Sequence, residues 1–143
     1  MRNSSTVCVD ANLVVRLLGP SMTPGIVRQW REWQDMRMHL AAPRLIRYEV
    51  TNALHQMIRR RQIDHRIANA AIRTMLEMPV VLHHDDVLHQ MALDVAVRFN
   101  IKPTYDAHYL ALADLLGCEL WTGDKRLFNS VSHHLPWVRL LAD

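Results

Sequence analysis

Residues 6–18 read TVCVDANLVVRLL, and this stretch decides the fold. The run from Thr6 to Val9 is rich in β-branched side chains, which is typical of a strand. It stops at Asp10, after which apolar side chains recur at helical spacing until Gly19 ends the pattern. The stretch therefore predicts a strand that passes directly into a helix, with Asp10 at the carboxyl end of the strand.

The same alternation of short apolar strands with helices continues along the chain. Further strands are predicted at residues 39–42, 80–82, 119–122 and 137–141. Helices are predicted at residues 24–33, 46–58, 64–78, 85–99 and 104–116, with a helical turn at 125–128. This alternation indicates an α/β fold in which helices cover both faces of a central, mainly parallel sheet of about five strands.

Polar residues mark the predicted helix ends. The predicted N-caps are Thr23, Asp64, Asp85 and Thr104, whose side chains can accept a hydrogen bond from the first helical turn. Gly117 follows the helix at 104–116, where glycine commonly ends a helix. No internal repeat or linker interrupts the pattern, so we expect a single domain over residues 1–143.

The composition permits several partners and disfavours a membrane location. Half of the 143 residues are hydrophobic, which is enough for one core without disulfides. A net charge of +3 and a pI near 9.2 make a polyanionic partner possible without establishing one. Cys8 and Cys118 lie in apolar runs, which favours free thiols in a reducing, cytoplasmic compartment. No signal peptide is evident and no stretch approaches the roughly 20 apolar residues that span a bilayer, so we expect neither secretion nor membrane insertion.

Four acidic residues stand out by their positions. Asp10 and Asp124 follow predicted strands, and open parallel sheets place their sites at the carboxyl ends of strands. Each also has an ordinary explanation, because Asp10 can cap the next helix and Asp124 can belong to a turn. Asp106 lies in a first helical turn, where the helix dipole alone favours a negative charge. Glu49 lies mid-helix beside the apolar face with Asn52 on the same flank, which favours a group directed at the rim of the sheet.

Convergence of these four carboxylates would require a cation. Their mutual repulsion would raise their pKa values and destabilise the fold unless a positive charge neutralised it. All-oxygen ligands select hard cations such as Mg²⁺ or Mn²⁺. Such an ion can activate water and stabilise the leaving oxygen in phosphodiester cleavage, so the pattern favours a nuclease.

Four segments of the chain resemble the signature blocks of PIN-domain nucleases, in particular VapC-like toxins of bacterial toxin–antitoxin pairs. They are residues 7–12 (VCVDAN), 43–54 (PRLIRYEVTNAL), 105–113 (YDAHYLALA) and 120–124 (LWTGD), which occur in the family's order. The blocks together span nearly the whole chain.

The resemblance implies a PIN-like three-layer sandwich, cleavage of an RNA substrate, a homodimer, and a small antitoxin protein whose tail enters the acidic groove. It implies that four residues bind Mg²⁺ or Mn²⁺ and carry out catalysis, namely Asp10, Glu49, Asp106 and Asp124. Thr122 would support the site through its hydroxyl group. Asn12 matches a position that often carries a small polar residue near the metal.

Five basic residues near these segments are candidates for binding RNA phosphates, namely Arg16, Arg44, Arg47, Lys125 and Arg126. Ordinary solvated charges explain each of them about equally well. Trp121 is bulky for its strand position, where it would either narrow the groove or fill the core.

Two other functions fit an α/β fold with clustered acids. A receiver-like phosphorylation switch also gathers carboxylates, a threonine and a lysine at strand ends, but it typically has adjacent acids after the first strand. Here that strand ends in Asp10 alone, and Glu49 comes from a helix. A non-catalytic PIN-fold module that binds RNA or protein is the other alternative, and the complete set of acids speaks against it.

Overall fold

The computed structural model describes residues 2–20 and 22–141, which form five strands and seven helices. The strands are β1 (Thr6–Val9), β2 (His39–Pro43), β3 (Val80–His83), β4 (Glu119–Thr122) and β5 (Val138–Leu140). The helices are α1 (Ala11–Leu18), α2 (Pro24–Asp35), α3 (Leu45–Arg59), α4 (His65–Glu77), α5 (Val87–Phe99), α6 (Thr104–Leu116) and α7 (Lys125–Val131).

The strands form one sheet in the order β3-β2-β1-β4-β5, and all four pairings are parallel. The predicted fold class is therefore confirmed. The chain builds the sheet outward from β1 to β3 and then crosses back to place β4 on the other side of β1. The order of strands thus reverses between β1 and β4, and open α/β sheets bind their ligands outside the carboxyl ends of the strands at such a point.

Helices cover both faces of the sheet. On one face, α6 packs on β1, β2 and β4, and the Cys8 thiol lies 3.9 Å from the carbonyl oxygen of Tyr109. On the other face, Val9 pairs with Trp121, whose ring lies edge-on to that of Trp33 in α2 at a centroid distance of 5.5 Å. Trp121 therefore fills the core between the sheet and α2.

Two of the four predicted N-caps need correction. Thr104 is the first residue of α6, which follows Pro103 and has no side-chain cap within the described chain. Asp85 lies one residue before the N-cap position of α5, which Asp86 occupies without a capping hydrogen bond in the part of the chain described. In both cases, the residue predicted as the N-cap lies one position away from the observed N-cap.

The other predicted helix ends are placed correctly, with one difference in bonding. The side chain of Asp64 accepts a hydrogen bond from the Ile67 N–H at 2.8 Å, and Gly117 ends α6 in the left-handed conformation. Thr23 occupies the N-cap position of α2, but within the described residues its buried hydroxyl group has no hydrogen-bond partner. The Pro at the start of α2 already removes one of the free N–H groups that a cap would satisfy.

Several boundaries differ from the sequence-based expectation by a few residues. β2 extends to Pro43, and β5 is restricted to Val138–Leu140. The predicted helical turn at 125–128 is the beginning of the longer helix α7, which ends at Val131. Among the described residues, no helix is long and apolar enough to cross a membrane.

Candidate metal centre

Asp10 lies at the junction of β1 and α1, with only 6 % of its surface exposed. One carboxylate oxygen, Oδ1, accepts a hydrogen bond from the Leu13 N–H at 3.1 Å and so caps α1. The pKa of Asp10 is raised to about 7, mainly by burial and to a lesser extent by the charges of Asp106 and Asp124, although the hydrogen bonds from Thr122 and Leu13 act in the opposite direction. Asp10 is therefore both a helix cap and a buried carboxylate beside two other acids.

The hydroxyl group of Thr122 joins the ends of β1 and β4. It is fully buried, donates a hydrogen bond to Asp10 Oδ2, and accepts one from the Asp124 N–H at 2.9 Å. Asp124 in turn caps α7, because its Oδ1 accepts hydrogen bonds from the N–H groups of Arg126 and Leu127. This network fixes Asp10 and Asp124 relative to each other at the point where the strand order reverses.

Glu49 reaches the site from α3 and is held by a tyrosine. Its Oε1 accepts a hydrogen bond of 2.7 Å from the hydroxyl group of Tyr109, a residue that is 1 % exposed. Partial burial raises the pKa of Glu49, while the Tyr109 hydrogen bond and the nearby His108 act in the opposite direction. The carboxylate therefore has a fixed position at the edge of the core.

Asp106 connects the other three carboxylates electrostatically. Its pKa is raised to about 6 by burial, then by the charges of Asp124 and Glu49. Asp106 itself contributes to the raised pKa of Asp10. The structure therefore brings together all four acids that the sequence singled out, from four separate segments of the chain.

The four carboxylates nevertheless do not form a ready-made ligand cluster. Within residues 2–20 and 22–141, no three His, Cys, Asp or Glu side chains are grouped closely enough to share one metal ion as they stand. Asp10 and Asp124 each direct one carboxylate oxygen to backbone N–H groups instead.

Asn12 and Arg16 lie over the turn between β4 and α7. A Cβ atom added to Gly123 would overlap Asn12 Oδ1 and lie 2.8 Å from Arg16 Nη1. Arg16 Nη1 also donates to the carbonyl oxygen of Leu141 at 3.2 Å, which ties α1 to the end of the described chain. Asn12 therefore lies against the turn at Gly123, which directly precedes Asp124 along the chain.

The remaining candidates lie around the site to different degrees. Arg126 lines a pocket together with Asp106 and Asp124, and Lys125 is exposed at the start of α7. Arg44 and Asn52 are exposed on the α3 side. Arg47 instead lines a small apolar crevice with Val14 and Met75, among other residues.

Sequence reasoning missed Tyr109 and His108 as neighbours of Glu49. Tyr109 follows Asp106 by three residues and so shares its side of α6, and a buried tyrosine hydroxyl usually finds a hydrogen-bond partner. These two facts could have indicated a polar contact at this position. They could not have named Glu49, because that partner is 60 residues away along the chain.

Known proteins resemble this chain in sequence and in fold. A family model described as the PIN domain matches residues 8–135. VapC ribonuclease Mb0985 of Mycobacterium bovis and ribonuclease VapC9 of Mycobacterium tuberculosis are each 28 % identical over 100 residues, which cover 70 % of this chain and 75 % of each relative. The match favours a PIN domain over the receiver-like alternative.

Two solved structures share the fold. PAE2754 from Pyrobaculum aerophilum superposes with a TM-score of 0.67 at 27 % identity, over 87 % of this chain and 85 % of that one. VapC20 of Mycobacterium tuberculosis, described as a sarcin–ricin-loop-cleaving toxin, superposes with a TM-score of 0.63 over 87 % of this chain and 95 % of its own. At 19 % identity, the likeness to VapC20 concerns the fold alone.

Proposed function

Because this chain belongs to the PIN-domain family, we propose that it is a metal-dependent ribonuclease that hydrolyses RNA phosphodiester bonds. The observation that carries the proposal is the electrostatic coupling of Asp10, Asp106, Asp124 and Glu49 at the point where the strand order reverses. Burying carboxylates beside one another is costly, and a cation removes that cost. The named ribonucleases among its relatives support the same activity.

The donor set fits Mg²⁺ or Mn²⁺. Every proposed ligand atom is a carboxylate oxygen, which hard cations prefer. Mg²⁺ is commonly held by only one or two carboxylates together with water and substrate phosphate, so a closed cluster of three acids is not required. When bound, the ion supplies the positive charge that activates water and stabilises the leaving oxygen.

The protein's own residues would divide the remaining tasks. Thr122 fixes the Asp10 carboxylate relative to the Asp124 backbone, and Tyr109 orients Glu49. Glu49 and Asp106 have raised pKa values and are less buried than Asp10, which suits them to accept a proton from the attacking water. The cations Arg16, Arg44, Lys125 and Arg126 are assigned to RNA phosphates, and Asn12 and Asn52 to supporting polar contacts. Arg47, which lines an apolar crevice, is not assigned to RNA.

The test of activity is cleavage of structured RNA by purified protein with Mg²⁺ or Mn²⁺. Asp10→Asn and Asp106→Asn should each remove cleavage, because each neutralises a charge in the coupled set. Asp94→Asn is the matched control, since it makes the same change at an exposed position on α5. If both site variants cut as well as the Asp94→Asn protein, the activity is a contaminant or the assigned site is wrong.

Metal binding is tested separately from cleavage. At a concentration of about 100 times Kd, a ligand specific for the folded state stabilises it by about 2.7 kcal/mol. Mn²⁺ should therefore raise the Tm of the parent and of Asp94→Asn, but not that of the Asp10→Asn/Asp124→Asn double variant. Equal shifts in all three proteins would place the ion elsewhere.

We further propose that the chain is the toxin of a two-protein pair. In this proposal it forms a homodimer in the cytoplasm, and the tail of a small antitoxin protein enters the acidic groove. The buried free thiols of Cys8 and Cys118 fit a reducing compartment. Expression of the parent alone should arrest growth, while Asp10→Asn should not, and light scattering should give the mass of a dimer. A small DNA-binding protein encoded next to this chain should restore growth when it is co-expressed.

A further inference from the structure

A pocket of about 420 Å³ lies directly beside Asp106 and Asp124, and we call it the flanking pocket. It is formed by the loop at residues 100–103 and by α7. Its volume falls within the range of about 300 to 1,000 Å³ that is usual for ligand sites. Ile101 and Leu127 are the two aliphatic side chains in its lining and provide apolar contact area.

The flanking pocket combines charges of both signs. Lys102 and Arg126 line it together with the two aspartates. Pro103 also lines it and directly precedes α6, whose first turn has no side-chain cap in the described residues. Asp106 lies in that first turn and offsets the partial positive charge of the helix end, so the positive potential of the pocket comes from Lys102 and Arg126. A ligand that bears a phosphate beside a cation-binding site suits this distribution.

Two neutral polar side chains complete the walls. Asn100 ends α5 in the left-handed conformation, and its amide group offers both a donor and an acceptor. The Ser130 hydroxyl group donates to the Arg126 carbonyl oxygen at 2.7 Å, which leaves its lone pairs as acceptors. These groups can recognise the polar edge of a base or a ribose hydroxyl group.

We propose that the flanking pocket binds the nucleotide next to the scissile phosphate of an unpaired RNA segment, with Lys102 and Arg126 contacting its phosphate. The inference rests on the proposed ribonuclease function and assigns a substrate subsite to it. A volume of about 420 Å³ suits a single nucleotide that is turned out of a helix, and protein recognition of RNA sequence mostly uses such splayed-out bases. Substrates should therefore be cut beside an unpaired nucleotide.

The experiment measures binding of a fluorescent single-stranded RNA oligonucleotide by anisotropy. Ca²⁺ replaces Mg²⁺ as a hard cation with oxygen ligands, and a gel verifies that the probe stays intact. Lys102→Ala/Arg126→Ala should weaken binding about tenfold or more, because charged hydrogen bonds to phosphate are lost. The slope of log affinity against log salt should fall by roughly 0.7 for each phosphate contact removed.

Arg66→Ala/Arg73→Ala is the matched control. It removes the same two positive charges from exposed positions on α4, so it preserves the change in net charge while leaving the pocket intact. Ser130→Phe is the complementary variant, since it fills the pocket without changing its charge. It should weaken RNA binding while the metal-induced rise in Tm is retained.

The outcomes separate the pocket from the chemistry. If the pocket variants bind RNA like the α4 control, or if the parent does not bind the probe at low salt, the assignment of the pocket is overturned. If binding depends on the pocket but Mg²⁺ and Mn²⁺ support no cleavage of any RNA, the pocket stands and the ribonuclease proposal fails.

Discussion

Asp10 is the residue in which structural and functional demands conflict most directly. It caps α1 and accepts a hydrogen bond from Thr122, but it is almost fully buried beside two other acids. Its pKa is raised from an ordinary value of 3.8 to about 7, first by burial. In the folded protein without metal, the charged form of Asp10 is therefore disfavoured.

This conflict predicts an unusual pH dependence of stability. The folded pKa of Asp10 lies above the unfolded one, so the folded state binds more protons between these values. The resulting stability is fully present below the ordinary pKa of 3.8 and is lost as the pH rises through about 7. Asp106, with a pKa raised to about 6, adds a change of the same sign. Thermal unfolding in EDTA should show a Tm that falls from pH 5 to pH 8.

Asp10→Asn tests the origin of that fall. The amide resembles the neutral acid, so in EDTA the variant should match the parent near pH 5 and exceed its Tm at pH 8. Asp94→Asn, exposed on α5, should leave the pH profile of the parent unchanged. If the Tm of Asp10→Asn instead falls furthest below that of the parent at pH 8, the charged carboxylate stabilises the fold even without metal.

Tyr109→Phe isolates one hydrogen bond at the site. The ring is buried and fits phenylalanine, so the change removes only the hydroxyl group that donates to Glu49. We expect a loss of about 1 to 2 kcal/mol in the free energy of unfolding, because the bond is to a carboxylate. RNA cleavage should fall mainly in kcat, since Tyr109 orients Glu49 and does not itself contact substrate.

Tyr48→Phe is the control for this change, because Tyr48 is 70 % exposed and lies on the same helix as Glu49. It should leave both kcat and the free energy of unfolding close to those of the parent. Unchanged kcat in Tyr109→Phe would contradict the positioning role that we give to Tyr109.

At the scale of elements, the turn between β4 and α7 is built around the absence of a side chain at Gly123. Gly123→Ala would place a Cβ atom in overlap with Asn12 Oδ1 and close to Arg16 Nη1. Both atoms are the ends of side chains and Asn12 is exposed, so these side chains can move aside, and we expect a destabilisation of no more than about 0.5 kcal/mol with displacement of Asn12 and Arg16 from the turn. Denaturant unfolding of Gly123→Ala measures the loss of stability, and the Mn²⁺-induced rise in Tm shows whether the displacement affects the metal site.

A double variant identifies the cause. Gly123→Ala/Asn12→Ala removes the overlapping amide, so its stability should be close to that of Gly123→Ala, whose Asn12 side chain has already moved aside. Gly117→Ala is an instructive comparison, since nothing lies near the added Cβ atom and the cost arises from its left-handed φ of 65°. A loss of more than about 1 kcal/mol in Gly123→Ala that persists in the double variant would place the strain in the backbone.

Element types could be read from the sequence more reliably than element ends. Periodic apolar positions and the β-branched run at 6–9 were sufficient for the strands and helices, because burial of one face dominates their free energy. Caps were less reliable, since Thr104 lies inside α6 and Pro103 precedes it. A cap contributes only about 1 kcal/mol, which packing of the rest of the helix can override.

For the site as well, features that are local in the sequence could be predicted, whereas contacts between distant segments could not. Asp10 and Asp124 were identifiable because a strand end is a local feature of the sequence. The Tyr109–Glu49 hydrogen bond and the approach of Lys102 to Asp124 join segments that only the fold brings together. Their detection requires the packing of α6 against the sheet and the course of the loop at 100–103, which local patterns do not encode.

At the scale of the whole molecule, the centre of the sheet and α6 form the most protected part of the fold. β1 has neighbours on both sides, and residues 109–113 of α6 are buried without interruption. β3 lies at one edge, where Val81 is 57 % exposed, and β5 contributes only three residues to the other edge. The site links a protected strand with a short helix. Asp10 directly follows β1, and Asp124 is the N-cap of α7.

This arrangement predicts the order of amide hydrogen exchange. Amides of β1 and of the middle of α6 should exchange slowest, near the rate set by global unfolding, while those of β3 and β5 should exchange sooner through local opening. Mn²⁺ should slow exchange most at residues 10–13 and 122–127, because the ion would link two elements that otherwise open separately. Mass spectrometry of peptides from the parent and from Asp10→Asn/Asp124→Asn distinguishes the exchange order set by the fold from the slowing of exchange caused by Mn²⁺. Protection of β3 that outlasts that of β1 would contradict the proposed stability order, and equal Mn²⁺ effects in both proteins would contradict the metal site.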